Sequence, residues 1–506
     1  MVLRLRGIHN PLLDHPGWRQ GDTAAIARNF VTLRYNPLYP QADYNGPPPN
    51  YVELELQIVP FLAATLYKIF GVHEIFGRLI TLAFSVGTVA VLAYFGRWLF
   101  ASAVAGLLCA LLFCVYPGSV YYGRTFTPDT AMVFFLTAAL YACARYLTER
   151  EELAWRGAAT CTALLTLAFL AKPVSLAAIL PLAAMVGHRY FAGRTIRWPQ
   201  LAALFLVPLI ALAAYDRFEY SIAEWHWASG ITRLHVLPSL REALTSARGF
   251  TLKWTYFVNA MRMLSQTMLG PVGFALLILS FIFPGESRSR ALLWGWLAGA
   301  LLYAYVVITV ERVDYYLYLF LPLAALAGAG FLQRLIGRIA SRRLPSGARY
   351  AMATAAAILF FLTVMQNRRQ VAKYYIYDPS VYRAAVALGT TLEPGALVVM
   401  GHYDPSVLYY INRKGWEEDP YLWTPFDEQS AIRKGAKYFI AIERNRLRKN
   451  VELYAWMQRF PTTSANAKWP VYHTQTSLIL PGAEARWGAF RRAEKAGTLN
   501  SESGGK

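Results

Sequence analysis

The sequence predicts a mainly α fold, a polytopic transmembrane helix bundle followed by a C-terminal α/β domain. Three observations predict it. Of the 506 residues, 56% are hydrophobic and only 16% charged, where a soluble domain is about a quarter charged. Ten apolar stretches approach the length needed to cross a hydrocarbon core of about 30 Å, which takes roughly 20 helical residues. After residue 366 the composition turns polar and mixed, with short alternating runs.

Residues 1–74 form a polar, turn-rich opening that carries Asp14, Asp22, Asp43, Glu53 and Glu55. Its Pro37-Leu38-Tyr39-Pro40 and Pro47-Pro48-Pro49-Asn50-Tyr51 runs favour ordered turns. Within it, 51–70 has a helical pattern, but Glu53, Glu55, Gln57 and Lys68 leave too short an apolar core to span. The spans are expected at 75–98, 102–119, 130–147, 155–171, 174–185, 199–215, 269–283, 291–310, 315–332 and 351–365, a bundle occupying 75–366. Between the sixth and seventh lies a long loop, 216–268, with Trp225-His226-Trp227 and Trp254-Thr255-Tyr256. Beyond the bundle, 396–400 and 437–442 read as strands and 379–388, 406–412 and 427–434 as helices, giving a small α/β domain at 367–496. The tail 497–506 is expected to be disordered.

A net charge of +20 would point a soluble protein toward nucleic acid. Here the basic residues flank apolar runs (Arg189, Arg194, Arg197; Arg334, Arg338, Arg342, Arg343), which fits the headgroups of a lipid bilayer and not nucleic acid. Cys109, Cys114, Cys143 and Cys161 lie inside apolar runs and read as small hydrophobes. Histidines at metal-ligand spacing, a serine nucleophile elbow and a phosphate-cradling glycine loop are all absent from the sequence. Nucleotide-driven chemistry is therefore disfavoured.

The positive-inside rule fixes the expected orientation. With 51–70 at the interface, the Arg-rich loops at 97, 145–156, 189–197, 288–290 and 334–349 fall on the inner side. Asp22, Arg78, Arg124, Asp129, Lys172, Arg312 and the C-terminal domain then share the outer side. Two acids and four cations at one face suggest chemistry at the membrane surface. Five of the six have a plainer reading: Asp22 and Asp129 as helix caps, Arg78 snorkelling to headgroups, Lys172 in the interface, and Arg312 paired with Asp314.

Taken in order, these residues resemble a known family. Asp22 in a loop, a helix ending Leu66-Tyr67-Lys68-Ile69-Phe70-Gly71, then Arg78, Arg124, Pro128-Asp129 and Lys172-Pro173 resemble the membrane glycosyltransferases of the C-type (GT-C) fold. The branch in view is that of the protein O-mannosyltransferases and the ArnT-like aminoarabinose transferases of lipid A, and the resemblance covers about residues 10–330. It implies transfer of a sugar from a polyprenyl-phosphate donor to an extracytoplasmic acceptor (lipid, glycan or protein), with the active site on the outer face of the inner membrane. It implies catalytic roles for Asp22 and Asp129 and donor-phosphate contacts from Arg78, Lys172, Arg124 and Arg312. Asp43, Glu53 and Tyr315 are candidate substrate contacts. No protein metal site is assigned, and a divalent metal ion is left open. Protein O-mannosyltransferases carry Asp-Glu where this chain has Asp22-Thr23, so their acceptor does not carry over. The family has a span before its catalytic loop, and Met1-Val2-Leu3-Arg4 stands where it ends, so a first span is expected to be missing. The rival reading is a transporter or flippase of lipid-linked sugars, whose charges should lie near the bilayer midplane between repeats.

Overall fold

The computed structural model describes residues 2–223, 235–285, 287–340, 345–463 and 468–479, together with Gly482. It divides into two compact units. One is built from Met1–His9, Glu53–Ser221 and Trp227–Tyr375, the other from Asn10–Val52, Ile222–His226 and Ile376–Lys506. The opening 74 residues, expected as one region, are thus shared between the two.

The first unit is helical. Among the described residues seven helices are long and apolar enough to cross a membrane: Glu74–Leu99, Asp129–Glu149, Pro173–Phe191, Trp198–Ile222, Arg290–Glu311, Asp314–Ala340 and Gly347–Gln370. The chain is a multi-pass membrane protein. An eighth crossing arises if Ala247–Met268 and Gly270–Ile282, bent by 117°, count as one span. That bend follows a π-helical turn at Leu264–Met268, a common cause of a sharp change in helix direction.

Each of the ten apolar ranges read from the sequence falls on helical residues, but three of those helices are shorter than a span, Gly270–Ile282 with its 13 residues among them. Ala103–Val115 has 13 residues, because the chain turns at Tyr116 and restarts as Pro117–Tyr122. Trp155–Ala171 stops at 17, before Lys172-Pro173. Ile58–Phe70 also has 13 residues, a rise of about 20 Å that falls short of the hydrocarbon core. The stretch 216–268, expected as a loop, is largely helical. Trp198–Ile222 runs into it, and Leu237–Thr245 and Ala247–Met263 follow, the latter carrying Trp254 and Tyr256. Polar residues within those helices disguised them. The cluster Trp225-His226-Trp227, the basic pair Arg342 and Arg343, and the tail 497–506 lie outside the described residues.

The second unit has a five-stranded mixed sheet: Leu397–Met400 (β1), Lys414–Glu417 (β2), Ala436–Ile440 (β3), Thr462–Thr463 (β4) and Val471–His473 (β5). Its order is β2-β1-β3-β5-β4, with β1 parallel to β2 and β3, and β5 antiparallel to β3 and β4. Parallel neighbours need crossovers, supplied here by Pro405–Ile411 between β1 and β2 and Pro425–Arg433 between β2 and β3. Both helices open with proline, and each is capped by the preceding residue, Asp404 or Thr424. Val399, Trp416, Phe439, Trp456 and Tyr472 form the core. The helix Gly17–Thr32 belongs to this unit and packs on Pro405–Ile411. Gly21 allows the approach, since a Cβ there would lie 2.4 Å from the Ser406 backbone.

Candidate active site

In the membrane unit the site is built where two helices end. Pro128 opens the helix Asp129–Glu149, and no side chain caps it. Asp129 is therefore not the helix cap that its position after proline allowed. Its carboxylate turns instead to Lys172, whose Nζ donates to Oδ1 at 2.6 Å with both residues buried. Lys172 is extended (φ −171°, ψ 129°), as steric conflict with the Pro173 ring requires of the residue before proline. Proline thus ends the helix Trp155–Ala171 and aims the lysine into the bundle. The rings of Tyr315 and Tyr316 stand 5.0 and 4.3 Å from Nζ. Among the described residues Asp129 Oδ2 makes no hydrogen bond. A buried ion pair seldom stabilises a fold more than apolar packing would, so this one calls for a further reason.

Arg78 and Arg124 have other partners. A Cβ on Gly77 would lie 2.3 Å from the Phe126 ring, so glycine lets the helix Glu74–Leu99 pack tightly on the 123–128 turn. Arg78 is buried and Nη1 donates to the carbonyls of Gly7 and Ile8, at 2.7 and 3.1 Å. Burial rules out the snorkelling reading. Arg124 Nη1 donates to the same Gly7 carbonyl at 3.0 Å, and its guanidinium lies 4.8 Å from the Tyr121 and Tyr375 rings. Both guanidiniums hold the N-terminal segment by its main chain. Arg312 is exposed, in a left-handed conformation (φ 53°), with its guanidinium 3.7 Å from the Tyr256 ring. Its expected neighbour Asp314 accepts from the hydroxyls of Tyr122 and Tyr374. Of the four expected phosphate ligands, Arg78 and Arg124 share the Gly7 carbonyl, Lys172 pairs with Asp129, and Arg312 lies against Tyr256. Glu53 is half-buried at the start of the segment leading to Ile58–Phe70, and Tyr315 is buried beside Lys172.

In the other unit, Asp22 lies in the second turn of Gly17–Thr32, a helix whose N-cap is Pro16. Its capping reading is thereby excluded. Asp22 is buried, and Arg19, one turn back, donates to Oδ2 at 2.8 Å. The i, i+3 spacing of Arg19 and Asp22 on one helix face is the local signal for this pair. Tyr44 and Glu417 border the same place, and no local pattern announces either. Burial pushes the Tyr44 phenol well above its ordinary value, and the charges of Asp22 and Glu417 push it the same way. Burial, with Glu418 and Asp22, likewise drives the Glu417 carboxyl well above the usual carboxylate range.

Asp43 is buried and surrounded. Arg28 and Lys414 both reach it, and Asn29 Nδ2 donates to Oδ1 at 3.0 Å. Burial works to raise its pKa, but the charges of Arg28 and Lys414 outweigh it and hold the carboxyl below the ordinary range. Among the described residues no three His, Cys, Asp or Glu side chains come together to hold a metal ion.

Residues 57–215 match the family model described as dolichyl-phosphate-mannose-protein mannosyltransferase. The matched stretch contains Arg78, Arg124, Asp129 and Lys172 and leaves out Asp22 and Arg312. No curated protein sequence matches the chain. Among solved structures, the chain is similar to ArnT from Cupriavidus metallidurans bound to undecaprenyl phosphate. The TM-score is 0.59 at 14% identity, over 95% of this chain and 97% of that one. The apo state of the same protein gives 0.58 at 15% identity, with the same coverage. The archaeal oligosaccharyltransferase AglB from Archaeoglobus fulgidus, in complex with an inhibitory peptide and a dolichol-phosphate, gives 0.54 at 13%, over 95% of this chain and 74% of that one. The fold is that of the C-type integral-membrane glycosyltransferases, as the resemblance in the sequence implied.

Proposed function

We propose that this chain is a membrane glycosyltransferase that moves a sugar from a polyprenyl-phosphate donor to an extracytoplasmic acceptor, with inversion at the anomeric carbon. The observation that carries the reading is the fold likeness, over 95% of this chain, to a structure holding undecaprenyl phosphate. The buried Asp129–Lys172 pair adds to it, because a lysine inside an apolar bundle is costly and marks a place for an anion. The site faces the outer side of the inner membrane in this reading, as the distribution of arginines indicates.

Lys172 is the cation for the donor phosphate. Asp129 holds it in place before the donor arrives, and phosphate oxygens then share its N–H groups. In the reaction the bond from the anomeric carbon to the phosphate oxygen breaks, and its electron pair stays on polyprenyl phosphate. Lys172 offsets the charge that develops there. The acceptor hydroxyl attacks from the opposite face of the sugar and gives its proton to Asp22. Arg19, donating to Oδ2, orients Asp22 for that transfer. Arg78 and Arg124 act as positioning residues, since their N–H groups hold the main chain at Gly7. Arg312, exposed at a turn, remains a candidate contact for the donor phosphate.

The test supplies purified protein in liposomes with polyprenyl-phosphate sugars and envelope extracts as acceptors. Loss of one lipid-linked sugar with release of polyprenyl phosphate is expected. Movement of the intact lipid across the bilayer, with the sugar–phosphate bond uncut, would favour the flippase reading. If no donor is consumed or moved, both readings fall.

A further inference from the structure

We infer that Asp314 is a positioning residue that holds the two tyrosines walling Lys172, and so sets how tightly the membrane unit takes the phosphate end of a lipid-linked donor. The inference rests on the reading of Lys172 as the donor-phosphate cation.

Asp314 is buried, two residues after the left-handed Arg312, and begins the 3-10 turn Asp314–Leu319 that feeds the helix Phe320–Ala340. Its two oxygens accept from tyrosines of two other chain segments. Tyr122 Oη donates to Oδ1 at 2.6 Å, from the end of Pro117–Tyr122. Tyr374 Oη donates to Oδ2, from the turn Ala372–Tyr375. The Tyr374 carbonyl in turn accepts from Tyr121 Oη at 2.6 Å. One carboxylate thus fastens three segments at a point.

The next two residues are the ones that face Lys172. Tyr315 and Tyr316 stand edge to face, with centroids 5.2 Å apart and an interplanar angle of 88°. The Tyr122 ring lies 6.3 Å from Tyr315, so the fastening and the wall are contiguous. A 3-10 turn has poorer hydrogen-bond geometry than an α-helix and holds its side chains weakly by itself. An acid at its first residue, bonded on both oxygens, supplies what the turn lacks. The rings also attract the ammonium through their π faces. Without the anchor the rings tilt, and Lys172 meets the phosphate less well placed. Donor affinity should therefore fall.

The experiment uses full-length protein in detergent, with Asp314→Asn, Tyr374→Phe and Tyr122→Phe. Asparagine cannot accept from both tyrosines, and each phenylalanine removes one donor while sparing the carboxylate. Two quantities are read: the Kd for undecaprenyl phosphate, and the rate at which an amine-reactive reagent labels Lys172, followed by peptide mass. The Kd should rise about 2–30-fold, the span expected for a residue coupled through a network, and Lys172 should label several-fold faster. Lower melting temperatures with both quantities unchanged would make Asp314 a fold staple only and overturn the inference. Should wild type not bind undecaprenyl phosphate, the functional reading fails, and the labelling rates alone decide positioning: faster in the variants upholds it, unchanged overturns it. If Asp314→Asn does not fold, the two phenylalanine variants carry the same test.

Discussion

Asp129 and Asp43 are both buried acids paired with lysine, and they differ in what else surrounds them. Asp129 has one cation on one oxygen, and its other oxygen makes no hydrogen bond among the described residues. Asp43 has Arg28, Lys414 and Asn29, which together satisfy a carboxylate. A closed network ties residues 28–43 to β2 and leaves little capacity for a ligand. An open pair, walled by tyrosines, retains some. In the sequence the two acids look alike, each a polar residue expected near the outer face. Saturation of the carboxylate, visible only in three dimensions, separates a structural acid from one available to a substrate.

The largest effect should come from breaking the closed network. Asp43→Ala leaves the half-buried Arg28 and Lys414 without their counter-charge, which should cost up to about 3–5 kcal/mol of stability. Denaturant unfolding followed by tryptophan fluorescence in the C-terminal unit would register it. A midpoint equal to wild type would mean that this network is not structural.

Next comes the open pair. Lys172→Gln can still donate to Asp129 but carries no charge for a phosphate. Losing a charge-assisted bond worth about 1.5–3 kcal/mol should raise the half-saturating donor concentration roughly 10–150-fold. The folded fraction of Asp43→Ala should show ordinary donor dependence. Equal donor defects in both variants would erase the distinction between the two acids.

Glu428 supplies a third kind of buried acid, and its effect is read as a pH dependence. Trp423 Nε1 donates to Oε2 at 3.0 Å, while burial pushes the carboxyl up to about 8. The folded chain therefore holds a proton that the unfolded chain releases near its ordinary value of 4.5. The stability this gives is full below pH 4.5 and is lost as pH rises through 8. At neutral pH most of that loss has already occurred, because the decline runs between the two values. Glu428→Gln keeps an acceptor for Trp423 and does not titrate. Wild type should therefore lose stability relative to this variant between pH 4.5 and 9, read from paired melts; parallel curves would show that Glu428 is ionised throughout.

What the sequence made legible is local. Apolar periodicity placed every expected span on a helix, and Pro128 and Pro173 marked where Asp129 and Lys172 would stand. That the two side chains meet was hidden, because they are 43 residues apart and nothing in either segment names the other. The same holds for Asp314, whose partners Tyr122 and Tyr374 come from distant parts of the chain. The strand β2 escaped because Lys414-Gly415-Trp416-Glu417 is short and contains glycine, and its pairing with β1 is what defines it. Arg78 and Arg124 looked free for phosphate because a sequence does not show that a main-chain carbonyl takes their N–H groups.

The central claim is that Asp22 is the base of a sugar transfer from polyprenyl phosphate. Asp22→Asn tests it most directly, because asparagine keeps the shape and an oxygen for Arg19 while removing the basic function. Sugar transfer by purified wild type and variant should be compared in one assay, with folding checked by thermal melt. The account predicts turnover lower by roughly 10²–10⁴-fold at nearly unchanged melting temperature. Turnover close to wild type in a well-folded Asp22→Asn protein would contradict it.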